Sequence, residues 1–282
     1  MSGPAVLIDD ETGVELRLEH VPTPRGRLYT WMARPPEARA CVLICSSVFG
    51  DFSANYHRER LLGRSLVAQG IGAIRFHYVG EGNSEGDRGG MTFSSLCDDT
   101  AAVLDYGRSL GFAEFALLGT RMGALVAAST VASMPATPLA LWEPVVDPLR
   151  FITEADRARR MSQLAKGGEG PTTSWREELA QKGVLDLVGY EVYPPFIESF
   201  KDVDLVGSLG PPPRRVFVVR FRGKAGATDP LAQALIERGF IVELKTADLS
   251  EAWWFHSERV PETGDLITTT TAWLTNVLLV AA

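Results

Sequence analysis

The amino-acid sequence predicts an α/β fold in which helices flank a mostly parallel central sheet. Two observations predict this fold class. From residue 40 onward, continuous apolar runs of strand length alternate with helical stretches that have one apolar face, and such runs are typical of strands covered on both faces. Between residues 147 and 213 the alternation stops, and it then resumes. Because strand–helix–strand crossovers are right-handed, the alternating part favours a parallel sheet, and the interruption indicates an insertion.

The amino-terminal segment is predicted to be an antiparallel hairpin. Residues 14–22 alternate apolar and polar side chains, as a half-exposed strand does. A Pro-Arg-Gly turn follows, and residues 28–34 alternate in the same way until Pro35-Pro36 ends the strand.

The core elements follow in chain order. Buried strands are predicted at residues 40–47, 71–78, 115–119, 139–146, 215–221 and 240–244. Helices are predicted at residues 54–69, 93–109, 229–238 and 263–279, and a further helix of small and apolar residues begins at Gly123.

The interrupting segment is predicted to be a helical cap over the carboxyl ends of the strands. It contains two helical stretches, at residues 150–166 and 174–182, joined by a glycine-rich link. We therefore divide the chain into an α/β core of residues 1–146 and 214–282 and a helical cap of residues 147–213.

The net charge and the hydropathy of the sequence restrict the kinds of partner that the protein is expected to bind. The formal net charge of -7 argues against nucleic acid or an anionic membrane surface as the main partner. No apolar run reaches the length of about 18 residues that a membrane span requires, and the acidic amino terminus does not resemble a signal peptide. We therefore expect a small-molecule substrate, no membrane span and a cytoplasmic location. The sequence does not encode the oligomeric state, and a homodimer is left open.

The cysteines indicate neither a disulfide nor a metal site. There are three, Cys41, Cys45 and Cys97, and an odd number with two in one apolar strand is typical of reduced thiols. Cys41 and Cys45 are four residues apart with no second pair nearby, so no metal is predicted. No cofactor is expected either.

A short segment in the middle of the chain suggests the chemistry. An apolar strand ends at Gly119, the turn Gly119-Thr120-Arg121-Met122-Gly123 follows, and a helix begins. This arrangement resembles the nucleophile elbow of the α/β-hydrolases, in which a serine stands at the middle position. Here that position is Arg121, which is always charged and has no lone pair with which to attack.

Other segments extend the resemblance over nearly the whole chain. Residues 76–86 resemble the glycine-rich segment that follows the fourth strand of the α/β-hydrolase fold. The turn at residues 119–125, the segment at residues 141–147 and the cap segment at residues 188–195 resemble the serine aminopeptidase-like group, in particular the exosortase A system-associated hydrolases. That group can itself carry an arginine at the elbow.

The resemblance implies where an oxyanion hole would lie. The donors would be the backbone N–H of Met122 and one from the loop that contains Ser46, Ser47, Val48 and Phe49. Because these donors are main-chain groups near a helix amino terminus, their geometry would survive the loss of the serine. The alternative for Ser46 and Ser47 is that they finish the strand and satisfy backbone groups.

The resemblance implies an acid after the seventh strand or at the end of the sixth strand, and two carboxylates are candidates for it. Asp229 follows the seventh strand, but Asp followed by Pro is also a common helix start, with the aspartate as N-cap. Glu143 stands at the end of the sixth strand, where a buried carboxylate needs a partner. We expect Arg121 to be that partner in a bidentate pair. The alternative is that Arg121 binds a carboxylate or phosphate of a ligand.

The resemblance places the catalytic base after the eighth strand. His256 lies in that loop, although the family's usual spacing falls nearer Trp254, and the assignment is left open. A histidine without a serine can still activate water or abstract a substrate proton. Trp142 and Trp254 are candidates to line an aromatic pocket beneath the cap, with core packing as the alternative.

Two classes of function follow. In the first, the protein is an enzyme of hydrolase ancestry that acts on a small ester, thioester or acyl-type substrate without a serine nucleophile. In the second, it is an inactive relative that binds a small acyl or anionic ligand or a protein partner. Lyase or cyclase chemistry in the same pocket is a further alternative. Fold alone does not decide between these, because function depends on the site.

Overall fold

The computed structural model describes residues 5–165, 167, 173–187, 189–221, 229–247, 249 and 263–280. The strands are β1 (Ala5–Ile8), β2 (Glu15–Thr23), β3 (Gly26–Arg34), β4 (Ala40–Cys45), β5 (Gly72–Phe76), β6 (Glu114–Thr120), β7 (Leu139–Trp142), β8 (Leu185–Asp186), β9 (Glu191–Val192), β10 (Arg215–Arg220) and β11 (Ile241–Thr246). The helices are α1 (Gly50–Ala68), α2 (Phe93–Ser109), α3 (Gly123–Val131), α4 (Pro148–Ala165), α5 (Trp175–Lys182), α6 (Pro194–Glu198), α7 (Leu205–Ser208), α8 (Pro230–Glu237) and α9 (Leu266–Thr275).

Nine of these strands form one sheet in the order β1-β2-β3-β5-β4-β6-β7-β10-β11. The strands β1, β2 and β3 are antiparallel to their neighbours, and the remaining six strands of the sheet run parallel to one another. The predicted α/β class with a mostly parallel sheet is confirmed, and so is the amino-terminal hairpin. The register pairs Cys45 with Gly119 and Thr120 with Trp142, so β6 ends between the ends of β4 and β7.

Two apolar clusters lie on opposite faces of the sheet, because buried strands present alternate side chains to each face. On one face, α1 and α9 pack together and cover residues such as Phe217, whose ring stacks on Trp273 at 5.2 Å. On the other face, α2, α3 and α8 cover residues such as Leu117 and Leu141. The central strands are therefore buried on both sides, as their composition predicts.

The segment between β7 and β10 contains α4 to α7 and the small β8–β9 hairpin. Its apolar side chains, among them Phe151, Trp175, Phe196 and Phe200, join the cluster on the α2–α3 face. Phe196 packs edge-on against Phe49, which immediately precedes α1, with 5.2 Å between ring centroids. This contact brings the inserted segment over the end of β4. The division into core and cap at residues 147 and 213 stays a prediction.

The structure also contains elements that the sequence pattern did not predict. These are β1, the β8–β9 pair, α6 and α7, all five residues or shorter, and periodicity is weak over such lengths. Helix α1 begins at Gly50 rather than at residue 54. None of the helices in the described ranges is long and apolar enough to span a membrane.

Candidate active site

The turn between β6 and α3 has little room for side chains at its glycines. A Cβ on Gly119 would lie 2.4 Å from the Cα of Ala124, and one on Gly123 would lie 2.1 Å from the carbonyl oxygen of Cys45. Both distances are far below van der Waals contact, so these positions require glycine. Between them Arg121 has a φ of 53°, a conformation that non-glycine residues rarely adopt. The turn is therefore tight and strained, with Arg121 at its tip.

The side chain of Arg121 points into the protein. Only 7% of the residue is exposed, and its Nε donates a hydrogen bond of 2.9 Å to Oδ2 of Asp51. One terminal nitrogen lies 3.4 Å from the backbone carbonyl oxygen of Glu143. The guanidinium carbon lies 5.6 Å from the centre of the Phe151 ring. A strand end, a helix start and the inserted segment therefore meet at this side chain.

Asp51 is a partner of Arg121 that the sequence pattern did not predict. It lies in the first turn of α1, where a carboxylate is favoured by the helix dipole, and only 2% of it is exposed. Burial raises the pKa of Asp51, while the charge and hydrogen bond of Arg121 act in the opposite direction. Its second oxygen, Oδ1, is buried and accepts no hydrogen bond from any described residue. The pair is thus incomplete on its carboxylate side.

The expected bidentate pair between Arg121 and Glu143 is wrong. The carboxylate of Glu143 accepts the backbone N–H of Phe221 at 2.7 Å and lies 3.4 Å from a terminal nitrogen of Arg220. Glu143 itself has a φ of 40°, which turns its side chain toward the end of β10. Only its backbone carbonyl reaches Arg121.

Asp229 caps a helix. Its Oδ1 accepts the N–H of Ala232 at 2.9 Å, and Pro230 is the first residue of α8. Its Oδ2 accepts a 2.6 Å hydrogen bond from Nε of Arg220. Burial acts to raise the pKa of Asp229, but the hydrogen bonds from Arg220 and Ala232 outweigh it, and the pKa is lowered. Arg220 therefore links both predicted acids, Glu143 and Asp229, at the end of β10.

Two residues of the expected oxyanion hole, Met122 and Ser47, bind each other. The backbone N–H of Met122 lies 3.3 Å from Oγ of Ser47, so this hydroxyl stands where a ligand oxygen would accept. Oγ of Ser46 donates to Glu59 at 2.6 Å, and Val48 is buried in the core. Ser46 and Ser47 therefore satisfy internal polar groups, and neither hydroxyl projects from the Gly119–Gly123 turn.

Trp142 is a core residue. It is fully buried in the cluster on the α1–α9 face, where its indole N–H donates to Oγ1 of Thr270 at 3.0 Å. The expectation that it lines an aromatic pocket is therefore wrong.

His256 and Trp254 lie outside the described residues, so the role of His256 as base stays a prediction. Among the residues described, no group of three His, Cys, Asp or Glu side chains is placed to hold a metal ion.

The sequence and the structure are similar to those of known proteins. Residues 36–166 match the family described as serine aminopeptidase, S33. The structure is similar to Est1E from Butyrivibrio proteoclasticus with ferulic acid bound, at 15% sequence identity and a TM-score of 0.61, over 92% of this chain and 96% of that one. It is also similar to a putative hydrolase from Agrobacterium vitis S4, at 16% identity and a TM-score of 0.60, over 94% and 99% of the two chains.

A third similar structure is the proline iminopeptidase-related protein from Thermus thermophilus. The identity is 17% and the TM-score 0.57, over 95% of this chain and 99% of that one. No curated protein matches the sequence. At these identities the likeness concerns the fold. The protein has the α/β-hydrolase fold, and its residues 36–166 match the serine aminopeptidase family of hydrolases.

Proposed function

We propose that this protein is an enzyme of hydrolase ancestry that acts on a small ester, thioester or other acyl compound without a serine nucleophile. Arg121 and Asp51 form the centre of the proposed site. The observation that carries the proposal is the buried Oδ1 of Asp51, which has no donor among the described residues although it lies beside the Arg121 guanidinium. A ligand or water that donates to this oxygen would complete the pair.

The energetics favour a functional role for the pair over a structural one. Two charges removed from water regain their desolvation cost only when the remaining hydrogen-bonding positions are also satisfied. Asp51 and Arg121 are both almost fully buried, and one carboxylate oxygen lacks a donor in the described part of the chain. A strained φ at Arg121 adds a further cost. A pair retained only for stability would be easier to replace by apolar residues.

The reaction uses the pair as base and electrostatic stabiliser. Oδ1 of Asp51 accepts a proton from a water molecule, and the water oxygen forms a bond to the substrate carbonyl carbon. The positive charge of Arg121 stabilises the oxyanion that develops. When the tetrahedral intermediate collapses, the bond to the leaving group breaks, and the leaving oxygen or sulfur takes the proton back from Asp51. Burial raises the pKa of Asp51, which moves the carboxylate toward the range of an effective general base.

A second candidate function is a binding protein that has lost catalysis. The observation in its favour is the contact between the Met122 N–H and Oγ of Ser47, which occupies one of the donors that an oxyanion hole needs. In this alternative, Arg121 and Asp51 hold a small acyl or anionic ligand without converting it.

The subgroup is also a proposal. The resemblance of the Gly119–Gly123 turn and of the cap segment to the exosortase A system-associated hydrolases supports a substrate related to a polysaccharide or a natural product. A cytoplasmic location and a cap formed by residues 147–213 belong to the same proposal. Genes for an exosortase or for polysaccharide assembly beside this one would support it, whereas unrelated neighbours would favour another subgroup.

Ester hydrolysis tests the choice between the two functions. We expect the wild-type protein to hydrolyse short p-nitrophenyl esters, and Asp51→Asn to lower kcat by about 100-fold, as expected for loss of a general base. Asp105→Asn, which changes an exposed carboxylate on α2, is the matched control and should leave the rate unchanged. A serine-directed fluorophosphonate should not label the wild-type protein.

The variant Arg121→Ser tests whether the protein is instead a ligand-binding relative without catalytic activity. If the wild-type protein hydrolyses neither esters nor thioesters, and Arg121→Ser acquires activity, the protein is a ligand-binding relative and the proposed enzyme function is wrong. Labelling of the wild-type protein by the fluorophosphonate would instead reveal a serine nucleophile outside the Arg121–Asp51 pair. Thermal unfolding of each variant separates loss of folding from loss of chemistry.

A further inference from the structure

A second concave site lies on the α1 side of the sheet, along the outer part of that helix. It is a cleft of about 770 Å³ between the antiparallel strands β2 and β3 and the outward face of α1. Aromatic side chains, among them Tyr29, Trp31 and Tyr56, form much of its lining. Neither Arg121 nor Asp51 lines it, so it is separate from the site at the Gly119–Gly123 turn.

The cleft is basic although the protein is acidic. Among its described lining residues, three are arginines, Arg60, Arg64 and Arg75, against one carboxylate, Asp9, in a chain of net charge -7. Oδ1 of Asp9 accepts hydrogen bonds from Thr12 within its own turn. In the described part of the chain, neither Arg60 nor Arg64 forms an ion pair with a carboxylate.

Arg75 gives the cleft a buried charged group. It is 5% exposed, and its Nε has no hydrogen-bond acceptor among the described residues. Its Nε forms an ion pair with Oε2 of Glu59 at 3.9 Å, which is beyond hydrogen-bond distance. The guanidinium lies over the ring of Tyr56 at 4.2 Å, an arrangement typical of a cation–π contact. Arg75 therefore places a buried guanidinium at the wall of the cleft.

His77 adds a neutral donor. Its Nδ1 accepts the backbone N–H of Asn83 at 2.9 Å, so the ring proton is on the other nitrogen, Nε2. Burial, and then the charge of Arg75, lower the pKa of His77 to about 4. The ring of Tyr29 packs on it at 4.9 Å. His77 therefore adds a neutral N–H to the residues that line the cleft.

We propose that this cleft binds a planar aromatic anion, a carboxylate or a phosphate ester. The arginines supply charge-assisted and planar donors for the anionic group. Tyr29, Trp31 and Tyr56 supply the apolar wall against which a ring packs. A neutral or cationic ligand would leave the charges of Arg60 and Arg64 unmatched, and these two charges distinguish the cleft from a general apolar groove. The inference does not depend on the proposed enzyme function.

Calorimetric titration with three naphthalene probes tests the cleft. The probes are 2-naphthoate, 2-naphthyl phosphate and the neutral 2-naphthalenemethanol. We expect at least one anion to bind, and the neutral probe to bind about tenfold more weakly. Arg60 and Arg64 lie on the outward face of α1, so the double variant Arg60→Gln/Arg64→Gln should fold and should weaken anion binding by about tenfold. Arg108→Gln, an exposed arginine on α2, is the matched control and should bind as the wild type does.

Each result supports or overturns the inference. Binding of the carboxylate alone or of the phosphate alone identifies which anion the cleft accepts. If neither anion binds, the cleft is not an anion site. If Arg60→Gln/Arg64→Gln binds the anion as tightly as the wild type, the anion binds elsewhere, for example at Arg121, and the proposal is wrong.

Discussion

Nε of Arg121 donates to Oδ2 of Asp51 over 2.9 Å, and this ion pair joins the strand-to-helix turn after β6 to the first turn of α1. Its position connects the Gly119–Gly123 turn to the start of α1, which directly follows the loop of residues 46–49. The pair therefore affects stability and the proposed chemistry together, and the two effects need separate measurements.

The first prediction concerns the coupling energy of this pair. Asp51→Asn leaves the charge of Arg121 buried without its partner, and Arg121→Met leaves the carboxylate of Asp51 in the same condition. We expect each single variant to lower the free energy of unfolding by about 3 kcal/mol. The double variant should lose much less free energy of unfolding than the two single variants added together, because it leaves no buried charge at this pair. Urea unfolding of the four proteins gives the coupling energy directly.

An exposed pair is the control for that cycle. Arg108 and Asp105 lie 2.7 Å apart on the surface of α2, and the same cycle there should give a coupling energy of about 0.5 kcal/mol or less. Additive losses at Arg121 and Asp51 would contradict the buried pair, since two non-interacting side chains have no coupling energy.

The second prediction concerns the glycines of the turn. A methyl group at Gly123 would meet the carbonyl oxygens of Cys45 and Ser46 at 2.1 and 2.4 Å, and backbone atoms cannot move away as a flexible side chain can. We expect Gly123→Ala to lower the free energy of unfolding by about 3 kcal/mol or more.

Gly90 is the control position for Gly123, because an added methyl group there has no heavy atom within 4 Å. Gly90→Ala should change the free energy of unfolding by about 0.5 kcal/mol or less. Chemical denaturation of both variants compares them. Equal stability of Gly123→Ala and Gly90→Ala would show that the turn has more space than its backbone contacts indicate.

The third prediction concerns pH and the inserted segment. Glu178 accepts a 2.7 Å hydrogen bond from Arg159, and this bond, with lesser help from Lys182, lowers the pKa of Glu178 from 4.5 to about 2. A carboxyl with a lowered pKa stabilises the fold above its unfolded pKa and loses that effect as the pH falls. For Glu178 this loss occurs as the pH falls from 4.5 to about 2.

The variant Glu178→Gln isolates this effect. It should lower the free energy of unfolding by about 1–3 kcal/mol near neutral pH, and the difference from wild type should shrink as the pH falls through that window. Denaturation at several pH values measures it. Glu198→Gln, at the end of α6, is the control. A difference between Glu178→Gln and wild type that stays constant across the window would show that the carboxylate of Glu178 does not supply the stabilisation.

Periodicity predicted the sheet but not the partner of Arg121. The buried runs identified the parallel strands, because strands covered on both faces have few polar residues. Which carboxylate pairs with Arg121 depends on the directions of side chains that lie beyond the strand ends, where periodicity gives no information. Glu143 follows β7 directly, yet its φ of 40° turns the carboxylate toward Arg220. Asp51 precedes the apolar stripe of α1, so the helical pattern gave no indication of it.

Strand alternation could have corrected the placement of Trp142. Successive side chains of a strand point to opposite faces. Leu141 belongs to the cluster on the α2–α3 face and Trp142 to the one on the α1–α9 face, away from the inserted segment. A count of alternate positions along β7 separates these two residues without a structure. By contrast, β1 has all four residues exposed, so its short apolar run has no alternation to detect.

The fourth prediction concerns the charge state of His77. Burial and Arg75 lower its pKa from 6.5 to about 4, and protonation of Nδ1 would also remove the hydrogen bond from Asn83. The unfolded chain therefore binds the proton more readily between these two pH values. The contribution of His77 to stability is complete above the unfolded pKa and is lost as the pH falls toward the folded pKa.

Nuclear magnetic resonance of the ring nitrogens measures this directly. In a long-range ¹H–¹⁵N spectrum near pH 5.5, the His77 ring should be neutral with its proton on Nε2, since that pH lies between the two pKa values of 6.5 and about 4. The variant His77→Gln assigns the signal by its loss. A His77 ring that becomes an imidazolium with a midpoint near 6.5 would show that the ring is solvated. His77 would then no longer be a neutral donor in the cleft between α1 and the strands β2 and β3, and an anionic ligand bound there would be held by the arginines alone.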